Sequence, residues 1–419
     1  MINKDEVSSN YKLRFLDDLG NSYPNWKKDK LKNNVLKIKG GGTPFIGNKD
    51  FYSNGNIPFA KINDLTSQQK YVTYTNINIT EEGLNNSSSW IIPENSILYS
   101  IYASIGFTAI NKIKLTTNQA ILGIIPNENK LVLNYLYYYL IFYKKTILKY
   151  INLGTQSNLN LQNVKNINLN LPSLTEQQKI GSFLSKIDDY IKLQKEEIIL
   201  TNEYKKSLLE QIFNQQIKVL DENGNNYPNW KETNLEDYIK ISVHNNLIKD
   251  ETSSITNYED LENVLVKTKQ VSKDNLFTTR HELFLKKIDK SRITILPKNS
   301  ILISKTGEGR GKICLTKFSS ILDSTLYFIE PISKNLDNLF IFYFLYNQKE
   351  FLKIIGEGST IKTINKNDIY NIDFSLPSIY EQQKIGLLLS NLDQQINQLE
   401  LEYKNINEYK NILLNKLIF

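Results

Sequence analysis

Two segments of the chain carry the same pattern of hydrophobic and polar positions. In each, one face recurs at alternating steps of three and four residues for about four heptads, which predicts a long helix that pairs along a seam. Each segment opens with Ser-x-x-Glu after a proline, at Ser173 and at Ser378, which is typical of a helix capping box. The seam positions are Leu184, Ile187, Ile191, Gln194, Ile198, Thr201, Lys205, Leu208 and Ile212 in the first segment, and Leu389, Leu392, Ile396, Leu399, Tyr403, Ile406, Lys410, Leu413 and Leu417 in the second.

The two seams are in register at an offset of 205 residues. Gln194, Thr201 and Lys205 would be unfavourable in a deep core and favour a helix pair whose register is specified. We therefore predict that the two helices, each roughly 60 Å long at 1.5 Å per residue, pair with each other in antiparallel orientation. The alternative is that each helix packs only on its own domain.

Short motifs upstream of the helices are repeated as well. Tyr-Pro-Asn-Trp begins at Tyr23 and at Tyr227, and Pro-x-Asn-Ser-Ile-Leu begins at the prolines 93 and 297, both at an offset of 204 residues. The segment Leu-Pro-Ser-x-x-Glu-Gln-Gln-Lys-Ile-Gly returns at an offset of 205, so one residue has been gained between Asn299 and Leu376. Two domain-sized copies indicate a pseudo-two-fold protein rather than a solenoid.

Between these motifs, each half has mixed character. β-branched and aromatic residues beside turn signals predict strands. The strands span residues 96–103, 119–125, 300–304 and 324–330. Aromatic stretches at 135–143 and 339–346 have helical length and favour a buried helix in each half. The alternative is a platform on which nucleic-acid bases stack.

Composition restricts the class of protein. Of 419 residues, 40% are hydrophobic, which suffices for packed cores, and no apolar run reaches the roughly 20 residues of a membrane span. The N-terminus has no apolar signal region. The single cysteine, Cys314, excludes an internal disulfide and fits a reducing compartment, so we expect a cytoplasmic protein without membrane contact.

The charge is distributed unevenly. The net charge of +7 divides into +8 for residues 1–219 and −1 for residues 220–419. A basic first half is compatible with phosphate contacts. The alternative is a composition bias toward lysine, because only four of the 51 basic residues are arginines.

The sequence shows no catalytic motif. Its two histidines, His244 and His281, and one cysteine do not have the number or spacing of a zinc site. Residues 307–312 lack the first glycine and the Ser/Thr of a Walker A loop. They predict instead a tight basic loop in which Arg310 can approach an anion or a base edge. Residues 40–43 form a second Gly-rich loop, whose glycines the other half lacks, and no methyltransferase tetrapeptide or cofactor loop is present.

Taken together, the repeated lead-in, the strand motif and the doubled Glu-Gln-Gln-Lys-Ile helix start resemble the specificity subunit of type I restriction-modification enzymes. The resemblance covers essentially the whole chain. It implies an α/β fold with two homologous α/β target recognition domains separated by two long helices forming an antiparallel coiled coil. The implied domains are 1–170 and 220–375 for recognition, and 171–219 and 376–419 for the conserved helices.

The resemblance also implies a function. Each domain would read one part of a bipartite asymmetric double-stranded DNA target through the major groove, and the helix pair would set the unread gap. Two modification (methyltransferase) subunits would dock on the helices, and ATP-dependent restriction subunits would join the complex. The chain itself would hold no catalytic residue and no cofactor; S-adenosylmethionine, ATP and magnesium would belong to the partner subunits.

Base specificity requires side chains able to make paired hydrogen bonds with base edges: Asn and Gln suit adenine, and Arg suits guanine. Lysines supply affinity that depends on salt rather than on sequence. On this basis the candidate DNA contacts are Lys39, Thr43, Lys61, Tyr99, Tyr102, Asn118, Gln119, Gln156 and Asn158 in the first half, and Arg280, Arg292, Lys305, Arg310, Lys312 and Lys362 in the second.

Two other functions remain open at this point. The chain could be an enzyme, as a stand-alone methyltransferase or a restriction–methylation fusion, although the missing motifs argue against it. It could also be a scaffold whose paired helices assemble proteins without DNA. Methyl transfer by the isolated chain would support the enzyme. Sequence-specific protection of DNA by the chain together with a methylating partner would exclude the scaffold without DNA.

Overall fold

The computed structural model describes residues 13–152, 159–243, 252–253, 264–271, 276–278, 284–285, 294–355 and 362–418. The chain forms two compact units. Unit 1 comprises Met1–Lys195 with Glu402–Phe419, and unit 2 comprises Glu196–Leu401. The boundaries fall inside the two long helices, so each unit contains a piece of both. The predicted domains treat the two long helices as separate from the recognition domains, whereas each unit includes parts of both helices. The predicted domain limits therefore stay a prediction.

Unit 1 consists of short strands, three short helices and one long aromatic helix, followed by the first long helix. Its strands are β1 (Lys27–Lys30), β2 (Val35–Gly40), β3 (Ile57–Ala60), β4 (Tyr71–Val72), β5 (Ile77–Ile79), β6 (Ile97–Ser100), β7 (Thr108–Asn111), β8 (Thr116–Thr117), β9 (Ile121–Pro126) and β10 (Asn168–Leu171). Its helices are α1 (Ile62–Gln68), α2 (Glu81–Asn85), α3 (Leu133–Asn152), α4 (Leu161–Lys165) and the start of α5 (Leu174–Phe213).

Three sheets organise unit 1. The largest has the strand order β2-β9-β6-β7-β4, a smaller one has the order β5-β3-β8, and β1 pairs with β10. All four residues of β6 and of β7 are buried, because both faces of the central sheet are covered. Helix α3 lies against one face: its Tyr135 and Tyr138 are 0% exposed in the same apolar cluster as Ile97. The aromatic stretch is therefore a core helix, as predicted, and not a stacking platform.

Unit 2 repeats this plan. Its strands are β11 (Lys231–Thr233), β12 (Ile239–Ser242), β13 (Thr252–Ser253), β14 (Val264–Val266), β15 (Phe284–Leu285), β16 (Ile301–Ser304), β17 (Ile313–Leu315), β18 (Ser320–Leu322), β19 (Leu326–Pro331) and β20 (Phe374–Leu376). Its helices are α6 (Asn338–Asn347), α7 (Lys349–Ile354), α8 (Lys366–Tyr370) and the start of α9 (Ile379–Ile418).

The sheets of unit 2 match those of unit 1. The order β12-β19-β16-β17 reproduces four strands of the larger sheet, β15-β14-β18 reproduces the smaller one, and β11 pairs with β20. The second aromatic stretch forms α6, which is buried from Phe340 to Leu345. The four predicted strands are β6, β9, β16 and β19, so the repeat inferred from the sequence is a repeat of structure.

The long helices begin and end as predicted. α5 and α9 contain 40 residues each and start one residue after Ser173 and Ser378. All eighteen seam residues lie in the described part of the chain, and none of them is exposed. Each serine accepts a hydrogen bond from the backbone N–H of the glutamate three residues later, at 3.3 Å. The capping box is only half formed, however, because each glutamate carboxylate turns to a tryptophan of the lead-in instead.

The two helices run antiparallel inside each unit. In unit 1, Asp188 of α5 pairs with Lys410 of α9, and Leu417 packs in the same cluster as Leu184. In unit 2, Asp393 of α9 pairs with Lys205 of α5. The late part of each helix therefore packs beside the early part of the other, which excludes the alternative that each helix packs only on its own domain. No helix among the described residues is long and apolar enough to cross a membrane.

Candidate nucleic-acid interface

In unit 1, three loops meet at one edge of the larger sheet. Strands β2 and β6 end there, and β7 and β9 begin there, because Gly40 is paired with Leu122, and Ser100 with Ile121. We call residues 41–43, 101–106 and 118–120 the loop edge of unit 1. Backbone hydrogen bonds of 2.9 Å join the loops, from Ile101 N–H to the Ala120 carbonyl and from Gly42 N–H to the Thr117 carbonyl.

The loop edge of unit 1 brings together several predicted contacts. The Thr43 hydroxyl donates to Oε1 of Gln119 at 2.6 Å and so orients an exposed amide. Asn118 N–H donates to the carbonyl of Ala60 at 3.4 Å, which places Asn118 beside the start of α1 and Lys61. Tyr102 is 44% exposed. Polar side chains able to pair with base edges and a lysine thus occupy adjacent loops.

Two tight glycines make this arrangement possible. A Cβ on Gly41 would lie 2.0 Å from the carbonyl oxygen of Thr117, and one on Gly42 would lie 2.1 Å from the Ser88 hydroxyl. Neither distance is compatible with a side chain, so Gly41 and Gly42 are needed where the loop packs closely on residues 117 and 88–89. The Gly-rich loop is therefore a structural support for Thr43. Lys39 is exposed at the end of β2 just before it.

Unit 2 has an equivalent loop edge, formed by residues 305–310 and 323–325. Lys305 N–H donates to the Thr325 carbonyl at 3.1 Å, and Asp323 N–H donates to the Val266 carbonyl at 3.0 Å. These bonds match those of Ile101 and Asn118 in unit 1. The backbone is therefore the same while the side chains differ: Gln119 of unit 1 corresponds to Ser324, and Asn118 to Asp323.

The residue gained by the second half lies in this loop edge. In unit 1, Gly106 N–H closes the β6–β7 loop on the Ser100 carbonyl, and in unit 2, Gly311 N–H closes the β16–β17 loop on the Ser304 carbonyl, both at 2.9 Å. Both glycines have φ of 77°. The loop in unit 2 is one residue longer between the same two anchors, so the insertion falls among the basic residues that the sequence indicated.

The basic residues of unit 2 are held in different ways. The Arg310 guanidinium donates from Nε to the Lys353 carbonyl at 3.1 Å, and its second nitrogen bonds the same oxygen. Arg310 is thus partly engaged with α7. Lys305 Nζ lies 5.4 Å from the centre of the Tyr327 ring. Lys312 is half-buried at the start of β17, and Lys362 is exposed next to the bridge between residues 306 and 363.

One predicted contact is wrong. Tyr99 is 0% exposed, packs in the core of unit 1, and has a hydroxyl without a hydrogen-bond partner among the described residues. Burial raises the pKa of this phenol well above its usual range. Tyr99 cannot touch DNA, because both faces of β6 are covered. Gln156, Asn158, Arg280 and Arg292, as well as His244 and His281, lie outside the described residues.

Sequence reasoning also missed a lysine. Lys267 precedes a short 3-10 helix in unit 2 just as Lys61 precedes α1 in unit 1, and in both the backbone N–H donates to the side chain three residues later, Gln270 at 3.0 Å and Asp64 at 2.7 Å. Lys61 and Lys267 are equivalent because each follows the central strand of the smaller sheet, β3 in unit 1 and β14 in unit 2. Their offset of 206 residues differs from the 204 and 205 of the sequence motifs, so the motifs alone did not pair them.

The repeated Glu-Gln-Gln-Lys-Ile-Gly motif fastens each unit to its long helix. The first glutamine, Gln177 or Gln382, accepts from a backbone N–H before the aromatic helix at 2.9 Å and donates to two carbonyls. The glycine permits close packing: a Cβ on Gly181 would lie 3.0 Å from Tyr135 N, and one on Gly386 would lie 2.8 Å from the Leu339 Cβ. The motif thus fixes the aromatic helix on the long one.

The glutamate of the motif differs between the units. Glu176 accepts from Arg14 at 2.8 and 3.0 Å and from the Trp26 indole at 3.0 Å. Glu381 accepts from the Trp230 indole at 3.0 Å, but its Oε2 is buried without a partner among the described residues. Desolvation by burial, opposed by Trp230 and Lys218, raises the pKa of Glu381.

About three helical turns further along, each unit contains a Tyr–Asp–Lys cluster. In unit 1, Asp188 accepts from the Tyr138 hydroxyl at 2.5 Å and pairs with Lys410. In unit 2, Asp393 accepts from the Tyr343 hydroxyl at 2.6 Å and pairs with Lys205 at 2.5 Å. Burial and the neighbouring aspartate raise the pKa of both phenols far above the usual value.

Unit 1 adds a second lysine to its cluster. Lys70, just before β4, lies 3.5 Å from Asp188 and donates to the Tyr138 hydroxyl at 2.8 Å and to Ser185 at 2.9 Å. In the described part of unit 2, the one lysine paired with Asp393 is Lys205. The segment before β4 is thereby tied to α5 by an ion pair that has no counterpart in the described part of unit 2.

Cys314 offers no reactive thiol: it is buried in β17, and desolvation raises its pKa above the usual value. Within the described ranges, no group of three His, Cys, Asp or Glu residues could hold a metal ion. The two loop edges are the places where the described structure gathers the contacts that the sequence predicted.

Comparison with known proteins gives a consistent picture. The family of type I restriction modification DNA specificity domains matches residues 12–202 and 227–408. The specificity subunit of the type I restriction enzyme MjaIX from Methanocaldococcus jannaschii is 27% identical over 421 residues, covering 96% of this chain and 94% of that protein. The crystal structure of a type I restriction-modification S subunit from M. genitalium has a TM-score of 0.59 at 15% identity, covering 98% of this chain and 99% of the other.

Proposed function

Because this chain belongs to the family of type I restriction-modification DNA specificity domains, we propose that each of its two units reads one part of a split DNA sequence. The observation that carries the proposal is the pair of loop edges. Equivalent backbone hydrogen bonds anchor both, at Ile101 and Lys305, at Asn118 and Asp323, and at Gly106 and Gly311, whereas the side chains of the loops differ at nearly every position. A common frame with divergent loops is what two readers of different base sequences require.

The charges fit a division of labour between the loops. Lys39 and Lys61 in unit 1, and Lys305 and Lys362 in unit 2, supply positive charge near phosphates, which gives affinity that falls with salt. Gln119, Asn118 and Tyr102 supply the directional hydrogen bonds from which specificity comes. The long helices set the number of unread base pairs between the two half-sites.

Catalysis belongs to partner subunits in this proposal. The helices dock two modification subunits, which use S-adenosylmethionine to methylate the DNA, and restriction subunits that use ATP and magnesium join them. The chain contributes recognition and assembly. A test is to measure methyl transfer by the purified chain alone: turnover without a modification subunit would favour a stand-alone methyltransferase.

The central experiment maps methylated sites in cells that express the chain with its modification subunits. We expect one bipartite sequence. Gln119→Ala should relax one base pair in one half by about 1–3 kcal/mol, and leave the other half unchanged. Gln162→Ala, at an exposed glutamine in α4 away from the loop edge, is the matched control. A Gln119→Ala methylome identical to that of the parent would remove Gln119 from base reading, and unselective methylation by the parent complex would overturn the whole proposal.

A further inference from the structure

Two large apolar side chains project into solvent beside the loop edge of unit 1. Phe45 is 73% exposed and Ile46 is 74% exposed, and they are consecutive in the chain. Single exposed apolar residues are common on protein surfaces, but an adjacent aromatic and β-branched pair at a loop tip is costly to leave in water and indicates a contact. No part of the proposed function described so far uses them.

The tip is held in place by its neighbours. Tyr52 donates its hydroxyl to the Pro44 carbonyl at 2.6 Å, and Asn48 N–H donates to the Phe45 carbonyl at 3.1 Å. The Phe45 ring lies over the turn, since a Cβ on Gly47 would meet that ring at 2.6 Å. A loop anchored in this way loses little entropy on binding, so it can present an apolar surface at low cost.

The position of the tip identifies its partner. It follows Thr43, whose hydroxyl bonds Gln119, and the exposed Lys39 lies on the strand before it. The tip is therefore continuous with the surface that we propose reads DNA. In the major groove, the C5 methyl group of thymine is the apolar feature that a side chain can recognise, and Phe is among the residues that contact it.

We propose that Phe45 and Ile46 form an apolar tip that recognises the C5 methyl group of a thymine in the half-site read by unit 1. The inference rests on the proposed function and adds a chemical class to it. Hydrogen bonds of Gln119 and Asn118 would read polar base edges, while the tip discriminates thymine from cytosine and uracil at a neighbouring pair. Burying one methyl-sized group corresponds to about a fourfold change in binding at 25 °C.

The test uses the full chain with its modification subunits and synthetic duplexes. Each thymine of both half-sites is replaced in turn by uracil, which removes only the methyl group, and the rate of methyl transfer is measured for the parent, for Phe45→Ala/Ile46→Ala and for Leu36→Ala. Leu36 is the matched control because it is 69% exposed on β2, toward the opposite end of the sheet.

We expect one thymine at which uracil slows the parent and Leu36→Ala about fourfold. The double variant should be slower than the parent on thymine DNA and insensitive to uracil at that position. Equal uracil sensitivity of the parent and the double variant overturns the proposal, as does a unit 1 half-site without an A·T pair. Loss of complex assembly in the double variant, measured by size-exclusion chromatography, would assign the tip to a protein contact and overturn it as well.

These outcomes are distinct from a failure of the proposed function. If the parent complex methylates the bipartite site selectively but no uracil position distinguishes it from the double variant, only the tip is refuted. If the parent complex shows no sequence selectivity, recognition by the loop edges fails first. Phe45→Ala and Ile46→Ala as single variants then separate the contribution of each side chain.

Discussion

The two units surround equivalent buried carboxylates with different numbers of cationic side chains in the described structure. Each buries a glutamate at the start of a long helix and an aspartate about three turns later. In unit 1, Glu176 has Arg14, and Asp188 has both Lys410 and Lys70. In unit 2, Glu381 has an oxygen without a partner in the described structure, and Asp393 has Lys205. The comparison teaches that the duplication preserved the carboxylates and the lysine that each aspartate pairs with across the helices, whereas the contacts of Arg14 and Lys70 are found in the described structure of unit 1 alone.

The consequence is a difference in how much each unit depends on a single cation. Removing one partner of a buried pair leaves an uncompensated charge, which costs much more than the pair itself contributes. Asp393 and Lys205 have side chains that are 7% and 10% exposed, whereas those of Asp188 and Lys410 are 17% and 24% exposed. Unit 2 should therefore be the more sensitive of the two.

The largest effect is expected for Lys205→Met. It leaves Asp393 buried with the Tyr343 hydroxyl and without a lysine among the described residues, and should lower the free energy of unfolding by about 3–5 kcal/mol. Lys410→Met should cost clearly less, because Lys70 still faces Asp188. Urea unfolding of the full chain, followed by circular dichroism, measures both. Lys206→Met is the matched control, since the Lys206 side chain is 78% exposed. Equal costs for the Lys205 and Lys410 variants would contradict the comparison.

A double variant sharpens this result. Lys70→Met/Lys410→Met removes both lysines from Asp188 and makes unit 1 resemble unit 2 after Lys205→Met. We expect its cost to exceed the sum of the two single variants, by about 0.5–3 kcal/mol, because each lysine compensates for the loss of the other. Strict additivity of the two substitutions in the same unfolding experiment would show that Lys70 does not share the charge of Asp188.

The two glutamates should respond in opposite directions. Glu176→Gln breaks charged hydrogen bonds from Arg14 and should cost about 1.5–3 kcal/mol. Glu381→Gln removes a buried charge that lacks a direct cation, keeps an oxygen for the Trp230 indole, and should be neutral or stabilising. Trp26 and Trp230 touch the respective carboxylates, so tryptophan fluorescence reports each site. Replacing Trp90 and the other tryptophan of this pair with Phe isolates the signal. A larger loss for Glu381→Gln than for Glu176→Gln would reverse our interpretation.

The smallest expected effect is a dependence on pH. Because the pKa of Glu381 is raised in the folded protein, the folded state binds this proton more tightly than the unfolded state. The stability that it contributes is present at low pH and is lost as the pH rises above the ordinary carboxyl range through the raised pKa. Thermal unfolding of the parent and of Glu381→Gln between about pH 4 and 7 tests this. The difference between them should change in favour of the variant as the pH increases; a constant difference would exclude a perturbed Glu381.

Much of the fold could be predicted from the sequence because it is encoded locally. The Ser-x-x-Glu motifs marked the starts of α5 and α9 to one residue, and the last seam residues, Ile212 and Leu417, lie one residue before their ends. The apolar stretches identified β6, β9, β16 and β19. Tyr99 was misassigned because its hydrogen-bonding side chain was expected to be accessible beside a loop, whereas it lies in β6, where all four residues are buried. The local sequence pattern of a strand does not show which other elements cover the two faces of its sheet.

The clusters around the aspartates escaped prediction for a different reason. Asp188 and Asp393 each follow a seam residue by one position, where a charged side chain is usually solvated. Their partners lie 222 residues after the first, at Lys410, and 188 before the second, at Lys205. The signal was nevertheless present: aspartate, tyrosine and lysine all recur at the offset of 205. A polar residue conserved between internal repeats deserves the same scrutiny as an apolar one.

The β6–β7 and β16–β17 loops have a further consequence for how such a chain changes over time. In both units a backbone hydrogen bond joins a serine carbonyl to a glycine in the left-handed region, whether five or six residues lie between them. The length and sequence of the loop can therefore vary between the serine and the glycine without disturbing the strands on either side. Under the proposed function, a change confined to such a hairpin loop would alter the DNA sequence that is read and leave the long helices unchanged.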